Sequence, residues 1–204
     1  MREAVPTKTE ALALIDERKL MRDGFGFLDE RRVLLATEIL RLAKQYEQAR
    51  ADLDSASKVA LASLVGAVAR HGLEDLQIDH GAAVPLEPPH TLRSKLLGVQ
   101  LIHAETHTSD VEPKWVPADA LDPSPEAARA GVAFARLAYL SCLAGVLAGN
   151  LLRLAREYRR TDRRAKALEN VLMPEVETAL KFVVEQLDTL DQEEIARARM
   201  IIRR

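Results

Sequence analysis

The sequence predicts a mainly α protein: a long antiparallel two-helix coiled coil with a small β-hairpin insert at the end opposite the termini. Three observations lead there. Two long stretches repeat apolar residues every seven positions, the first free of proline and the second with one in its interior. They flank a proline-rich middle. Aromatic residues make up only 4% of the chain against 48% apolar overall, which suits long helices better than a large globular core.

The first stretch, within a segment taken as residues 1–70, runs from about Thr9 to Arg70. Thr7 or Thr9 can cap it, and Glu10 stands three residues after Thr7, as in a capping box. Its seam reads Leu14, Met21, Leu28, Leu35, Leu42, Ala49 and Ala56. The companion positions are Ala11, Arg18, Phe25, Arg32, Ile39, Tyr46, Leu53 and Ala60. Only Arg18 and Arg32 interrupt it. So sustained an a/d pattern argues for a coiled coil, and a helix this long extends about 90 Å.

The last stretch occupies residues 125–204. Ser124 can cap it, with Pro125 in the first turn. Its seam reads Leu137, Ala144, Leu151, Tyr158, Ala165, Leu172 and Ala179, beside Leu140, Leu147, Leu154, Thr161, Leu168, Glu175 and Phe182. Pro174 cannot donate to the Asn170 carbonyl and predicts a kink. Beyond it the stripe moves to Val176, Leu180, Val183, Leu187 and Leu190.

Residues 71–124 differ in kind. Pro85, Pro88, Pro89, Pro113, Pro117 and Pro123 fall here, and β-like runs appear at Leu76–Asp79 and Gly98–His103. These predict a small β-hairpin module with irregular connections.

Antiparallel folding is expected to bring the uncharged Val59–Ala69 level with the uncharged Leu137–Leu152, with Gly66 facing Gly145 and Gly149. Helix surface that is apolar all round calls for a further covering partner. Leu137–Leu152 has 16 residues, short of the roughly 20 that span a bilayer, so no direct membrane span is expected. Cys142, in this run, reads as a small core residue. A single cysteine allows no internal disulfide and fits an intracellular protein. The N-terminus reads as neither a signal nor a transit peptide.

Few residues suggest chemistry. His103 and His107 are four apart with a carboxylate between them. A helical zinc-protease motif needs its glutamate directly after the first histidine, and this segment reads as strand and loop. His80 and His90 add no ligand spacing. Gly24-Phe25-Gly26 follows helix, not strand, and lacks the lysine and hydroxyl of a phosphate loop. It reads as a bending point or close contact. No catalytic residue, metal site or cofactor is expected.

The notable charge cluster is Arg153, Arg156, Arg159, Arg160, Arg163, Arg164 and Lys166, set against Glu157, Asp162 and Glu169. It reads either as a solvated face or as a surface for acidic loops of a protein partner. The near balance of 29 basic and 31 acidic residues, with no aromatics among the arginines, argues against nucleic acid.

These residues carry a resemblance. Thr161–Phe182, with its Arg163-Arg164 pair, Ala167-Leu168-Glu169 triplet and aliphatic pair before Pro174, resembles the C-terminal signature of the D subunit of V/A-type rotary ATPases. Pro6–Glu10, Leu28–Leu35 and Arg93–Val99 resemble that family's other segments, in the same order. Lys166 departs from the asparagine that often precedes the triplet.

The resemblance implies a non-catalytic central-stalk rotor subunit. It would transmit torque between ATP hydrolysis or synthesis in a catalytic ring and proton or sodium translocation in a membrane ring. Its partners would be the catalytic and non-catalytic ring subunits, the small F subunit of the stalk and a membrane-side socket subunit. It would be cytoplasmic and peripheral to the membrane. Arg153, Arg156, Arg160, Arg163, Arg164, Lys166, Gly145 and Gly149 are candidate partner contacts, and Met200, Ile201 and Ile202 a candidate terminal bearing. A generic coiled-coil scaffold or adaptor is the alternative.

Overall fold

The computed structural model describes residues 5–78, 90–105 and 124–202. In order, the elements are α1 (Lys8–His71), α2 (Leu73–Ile78), β1 (His90–Leu96), β2 (Val99–Glu105), α3 (Pro125–Ala167), a π turn (Leu168–Leu172) and α4 (Met173–Ile202). The chain is mainly α, with long paired helices, as the seven-residue period predicts, and an antiparallel hairpin in the middle segment.

Local signals fix the helix ends. The Thr7 hydroxyl accepts the Glu10 amide at 3.1 Å, satisfying one free donor of α1. At the other end Gly72 takes φ 78°, a left-handed cap open to glycine at little cost. Its amide donates to the Val68 carbonyl at 2.8 Å. Ser124, buried, accepts the Ala127 amide at 3.1 Å and so caps α3. One expectation fails here: Leu76, read as β-like, lies in α2. Glu74 and Asp75 sit in that helix's first turn, where the helix dipole favours acids. Asp79 lies outside the described residues.

The chain divides into two compact units, Met1–Ala36 with Glu157–Arg204, and Thr37–Arg156. In the first, the start of α1 packs against the end of α3 and against α4. Leu14, Val176 and Val183 are buried, with Ala11, Met21, Ala179, Leu180 and Leu187 packed around them. Leu35, Thr161 and Ala165 are buried too. Arg22 meets Glu177 at 3.3 Å, while Arg31 meets Glu157 at 2.8 Å. The partner's number falls as the α1 number rises, so the packing is antiparallel.

The π turn explains the shifted stripe. Leu154, Thr161 and Leu168 stand seven apart, but the next buried position is Val176, one residue late, followed by Val183. A π turn holds one extra residue, and the Met173 amide donates to the Leu168 carbonyl five residues back. The seam therefore rotates past Leu172 and Phe182, which are exposed, and continues on Val176 and Val183. The break predicted at Pro174 takes this form: the wide turn precedes the proline, whose missing amide suits a displaced hydrogen-bond register.

In the second unit Leu42, Ala60 and Ala67 of α1 and Ala127, Ala130, Ala144 and Leu154 of α3 are buried. Arg70 meets Glu126 at 2.9 Å, and His71 Nε2 meets the Ser124 hydroxyl at 2.5 Å. Ser55, Ala56 and Val59 line one cavity with Ala133 and Arg136. These contacts put Val59–Ala69 level with the first turns of α3 and not with Leu137–Leu152. The two apolar stretches are staggered, because the charged and polar pairs at the helix ends fix the register.

Within the same unit β1 and β2 pair antiparallel from Leu96↔Val99 to His90↔Glu105. Leu97 and Gly98 form the two-residue turn, both left-handed at φ 49° and 81°, a geometry matched to strand twist. The hairpin lies back along α3. The Asn150 side chain accepts the Ile102 amide at 2.9 Å and donates to the Ile102 carbonyl at 2.6 Å. Asn150 lies well inside α3, so β1 and β2 sit beside that part of the helix and not beyond its first turn. The reason is chemical: a carboxamide offers a strand edge the same donor and acceptor as a neighbouring peptide.

Candidate partner-binding surface

The basic cluster on α3 is sorted by its partners. Glu157 is taken by Arg31 of α1, with both side chains about one-fifth exposed. Asp162 is shared by Arg32 at 3.2 Å and Lys166 at 2.8 Å. Those two hydrogen bonds, Lys166 first, hold the Asp162 carboxyl below the usual carboxylate range. Arg32 also reaches Asp29 at 2.6 Å. An arginine that breaks the apolar seam is thus satisfied by two acids.

Consumption of the local acids by α1 leaves several arginines unneutralised. Arg159, Arg160, Arg163 and Arg164 are exposed and meet no carboxylate among the described residues. Arg163 Nε donates to the Arg159 carbonyl at 3.3 Å. In the second unit, Arg156 is exposed. Arg153 is half-buried and donates to Asn150 Oδ1 at 3.0 Å, bracing the residue that holds β2.

The other candidates are distributed. Gly145 is exposed, and neither it nor Gly66 has an atom within 4 Å of where a Cβ would stand. Close backbone approach is therefore not what these glycines provide. A Cβ at Gly149 would lie 3.6 Å from Arg153 Nη1. Gly24 sits inside α1 against Leu168 of the same unit, and Gly26 meets nothing within 4 Å. Met200 is exposed at the end of α4, where Ile201 and Ile202 are also helical.

Cys142, expected in the core, is exposed. It lies on a helix face that neither α1 nor the hairpin covers, and an apolar neighbourhood in sequence does not decide which face is buried. Other large apolar side chains also stay open in this unit, among them Val59, Leu61, Val65 and Leu152. By length and composition alone, the helix from Pro125 to Met200 is long and apolar enough to cross a membrane. Its uncharged stretch carries Asn150, whose side chain is committed to β2.

No group of three metal-ligating side chains occurs among the described residues. His103 lies on β2, exposed, with Nε2 2.7 Å from the Ser94 hydroxyl; His80 and His107 lie outside the described residues. Sequence reasoning singled out neither Asn150 nor Glu38. Glu38 is hydrogen-bonded by Arg41 at 2.9 Å, which holds its carboxyl below the usual carboxylate range. A carboxamide in the uncharged Leu137–Leu152 run, which also holds Ser141, was the available signal for Asn150.

Comparison with known proteins gives this arrangement a family. The profile of the ATP synthase D subunit matches residues 10–203. The D subunit of the V-type ATP synthase of Thermotoga neapolitana is 23% identical over 197 residues, covering 96% of this chain and 95% of that protein. The D subunit of the V-type ATP synthase of Thermus thermophilus is 27% identical over 207 residues, covering 98% and 88%. The D subunit of the A-type ATP synthase of Thermococcus gammatolerans is 27% identical over 198 residues, covering 96% and 92%. With the profile spanning nearly its whole length, the chain belongs to the ATP synthase D-subunit family of V/A-type ATPases.

Proposed function

We propose that this chain is the central rotor shaft of a V/A-type ATPase, a non-catalytic part that passes torque between a catalytic ring and a membrane ring moving protons or sodium. The observation that carries the reading is continuity of the seam. The buried positions carry through the π turn to Val176 and Val183, so the first unit stays a paired coil on both sides of Pro174. A shaft under torsion needs such side-by-side contact, because one helix alone twists easily. Interhelical ion pairs Arg22–Glu177, Arg31–Glu157 and Arg32–Asp162 resist sliding.

The partners in this reading are the catalytic and non-catalytic ring subunits, the small F subunit of the stalk and a membrane-side socket subunit. The complex would hold the chain at the cytoplasmic face of the membrane, peripheral to it. Arg156, Arg160, Arg163 and Arg164 would meet acidic loops of the ring, with Arg153 and Lys166 bracing the same stretch. Gly145 and Gly149 would belong to a docking face, and Met200, Ile201 and Ile202 to a terminal bearing. Reversing Arg160, Arg163 and Arg164 to glutamate in the assembled complex should weaken ATP-driven ion pumping while leaving the chain folded. Full pumping would reject the role of these arginines. A generic scaffold would instead be dispensable for pumping once the rest of the complex had assembled.

A further inference from the structure

We infer that the outer edge of β1 is a docking site for an extended acidic segment of a partner protein, which adds to the hairpin as a third strand. It rests on the hairpin and its anchor at Asn150 of α3, and is independent of the rotor reading.

Hydrogen-bond parity decides which edges are open. Both main-chain groups of Ile102 are spent on Asn150, away from β1. Arg93↔Ile102 is therefore a non-hydrogen-bonded pair, and so are Thr91↔Ala104 and Lys95↔Gln100. It follows that Thr91, Arg93 and Lys95 aim their amides and carbonyls outward from β1. None of the three finds a main-chain partner among the described residues. The β2 edge is occupied at its centre by a carboxamide, so β1 is the edge left to pair.

The edge is also held still. Asn150 is only 2% exposed and grips Ile102 through two hydrogen bonds, with Arg153 behind it. Val99 and Leu101 are buried beneath. A strand fixed in this way costs little entropy to extend.

Charge chooses the occupant. Arg93 and Lys95 project on one face of β1 and meet no carboxylate among the described residues. Self-pairing through this edge would bring arginines and lysines of two copies together, and like charges across strands repel. A strand with glutamate or aspartate at alternate positions would face both.

The test uses the full chain, a capped seven-residue peptide alternating valine with glutamate, and the same peptide with lysine in place of glutamate. Binding is followed by titration and by amide hydrogen exchange. The glutamate peptide should protect the amides of Thr91, Arg93 and Lys95 and bind about tenfold more tightly than the lysine peptide. Arg93→Pro removes one outward amide without touching the β1–β2 ladder. It should abolish binding while the Ile102 amide keeps its protection. Arg93→Glu with Lys95→Glu should invert the peptide preference. Equal affinity for the two peptides, protection confined to α1 or α3, or pairing of the chain with its own copy through β1 would each overturn the proposal.

Discussion

Replacing Asn150 with alanine should release the hairpin from α3 without unfolding the helices. The substitution removes two hydrogen bonds, at 2.9 and 2.6 Å, and leaves the Ile102 amide and carbonyl unpaired in a half-buried position. A net hydrogen bond contributes about 0.5–1.5 kcal/mol, and each stranded group costs about 1–3 kcal/mol. Water can reach part of this site, so a loss of about 2–4 kcal/mol in hairpin docking is the working figure. That corresponds to a roughly 30- to 1,000-fold fall in protection of the Ile102 amide against hydrogen exchange. Asn150→Asp should fall between wild type and alanine. It keeps an acceptor for the amide, and Arg153 can balance the charge, but it cannot donate to the carbonyl. Amide exchange read by mass spectrometry or NMR resolves the two strands from the helices. Unchanged protection of Ile102 in Asn150→Ala would refute the idea that this side chain positions the hairpin.

Three further outcomes follow from the packing. Leu35→Ala and Leu154→Ala, at fully buried seam positions, should each cost about 2–5 kcal/mol in thermal or urea unfolding. Leu20→Ala, on an exposed face, should stay within about 0.5 kcal/mol. Deleting Val171 together with Pro174→Ala should convert the π turn to ordinary helix and keep the seam in register. The melting temperature should then change little, and a fall of more than about 5 °C would contradict the one-residue account. Asp162 has a lowered folded pKa, so its pairs stabilise fully above its unfolded value of about 3.9 and weaken as pH drops through the lower folded value. Glu38, held low by Arg41, acts in the same direction. Acid unfolding should therefore be shallower in Asp162→Asn than in wild type, and an identical acid limb would remove this pair from the account.

The seam was legible because burial along a helix repeats. Leu14, Leu35, Leu42, Leu154 and Thr161 follow from spacing alone, and so do Val176, Leu180, Val183 and Leu187 beyond Pro174, whereas Leu190, expected in the same stripe, is exposed. What spacing could not supply was the cause of the phase shift, since a π turn differs from an α turn by one hydrogen-bond register. Contacts distant in sequence were hidden as well. Asn150 and Ile102 are 48 positions apart, and no periodicity couples a strand peptide to a helix side chain. Cys142 misled because an uncharged run was equated with a buried one, whereas among the described residues its face of α3 is uncovered. Leu76 misled because a short apolar run suits strand or helix, and Gly72 followed by two acids favours a new helix. The stagger of Val59–Ala69 against Leu137–Leu152 depends on where Arg70 and His71 meet Glu126 and Ser124. Composition does not carry that alignment.

The most direct test of a shaft is to stop it. A cysteine introduced at Arg160, paired with one in the catalytic ring of the assembled complex, should form a disulfide that halts ATP hydrolysis and ion pumping together. Reduction should restore both. Full turnover with the cross-link intact would contradict a rotor role for this chain.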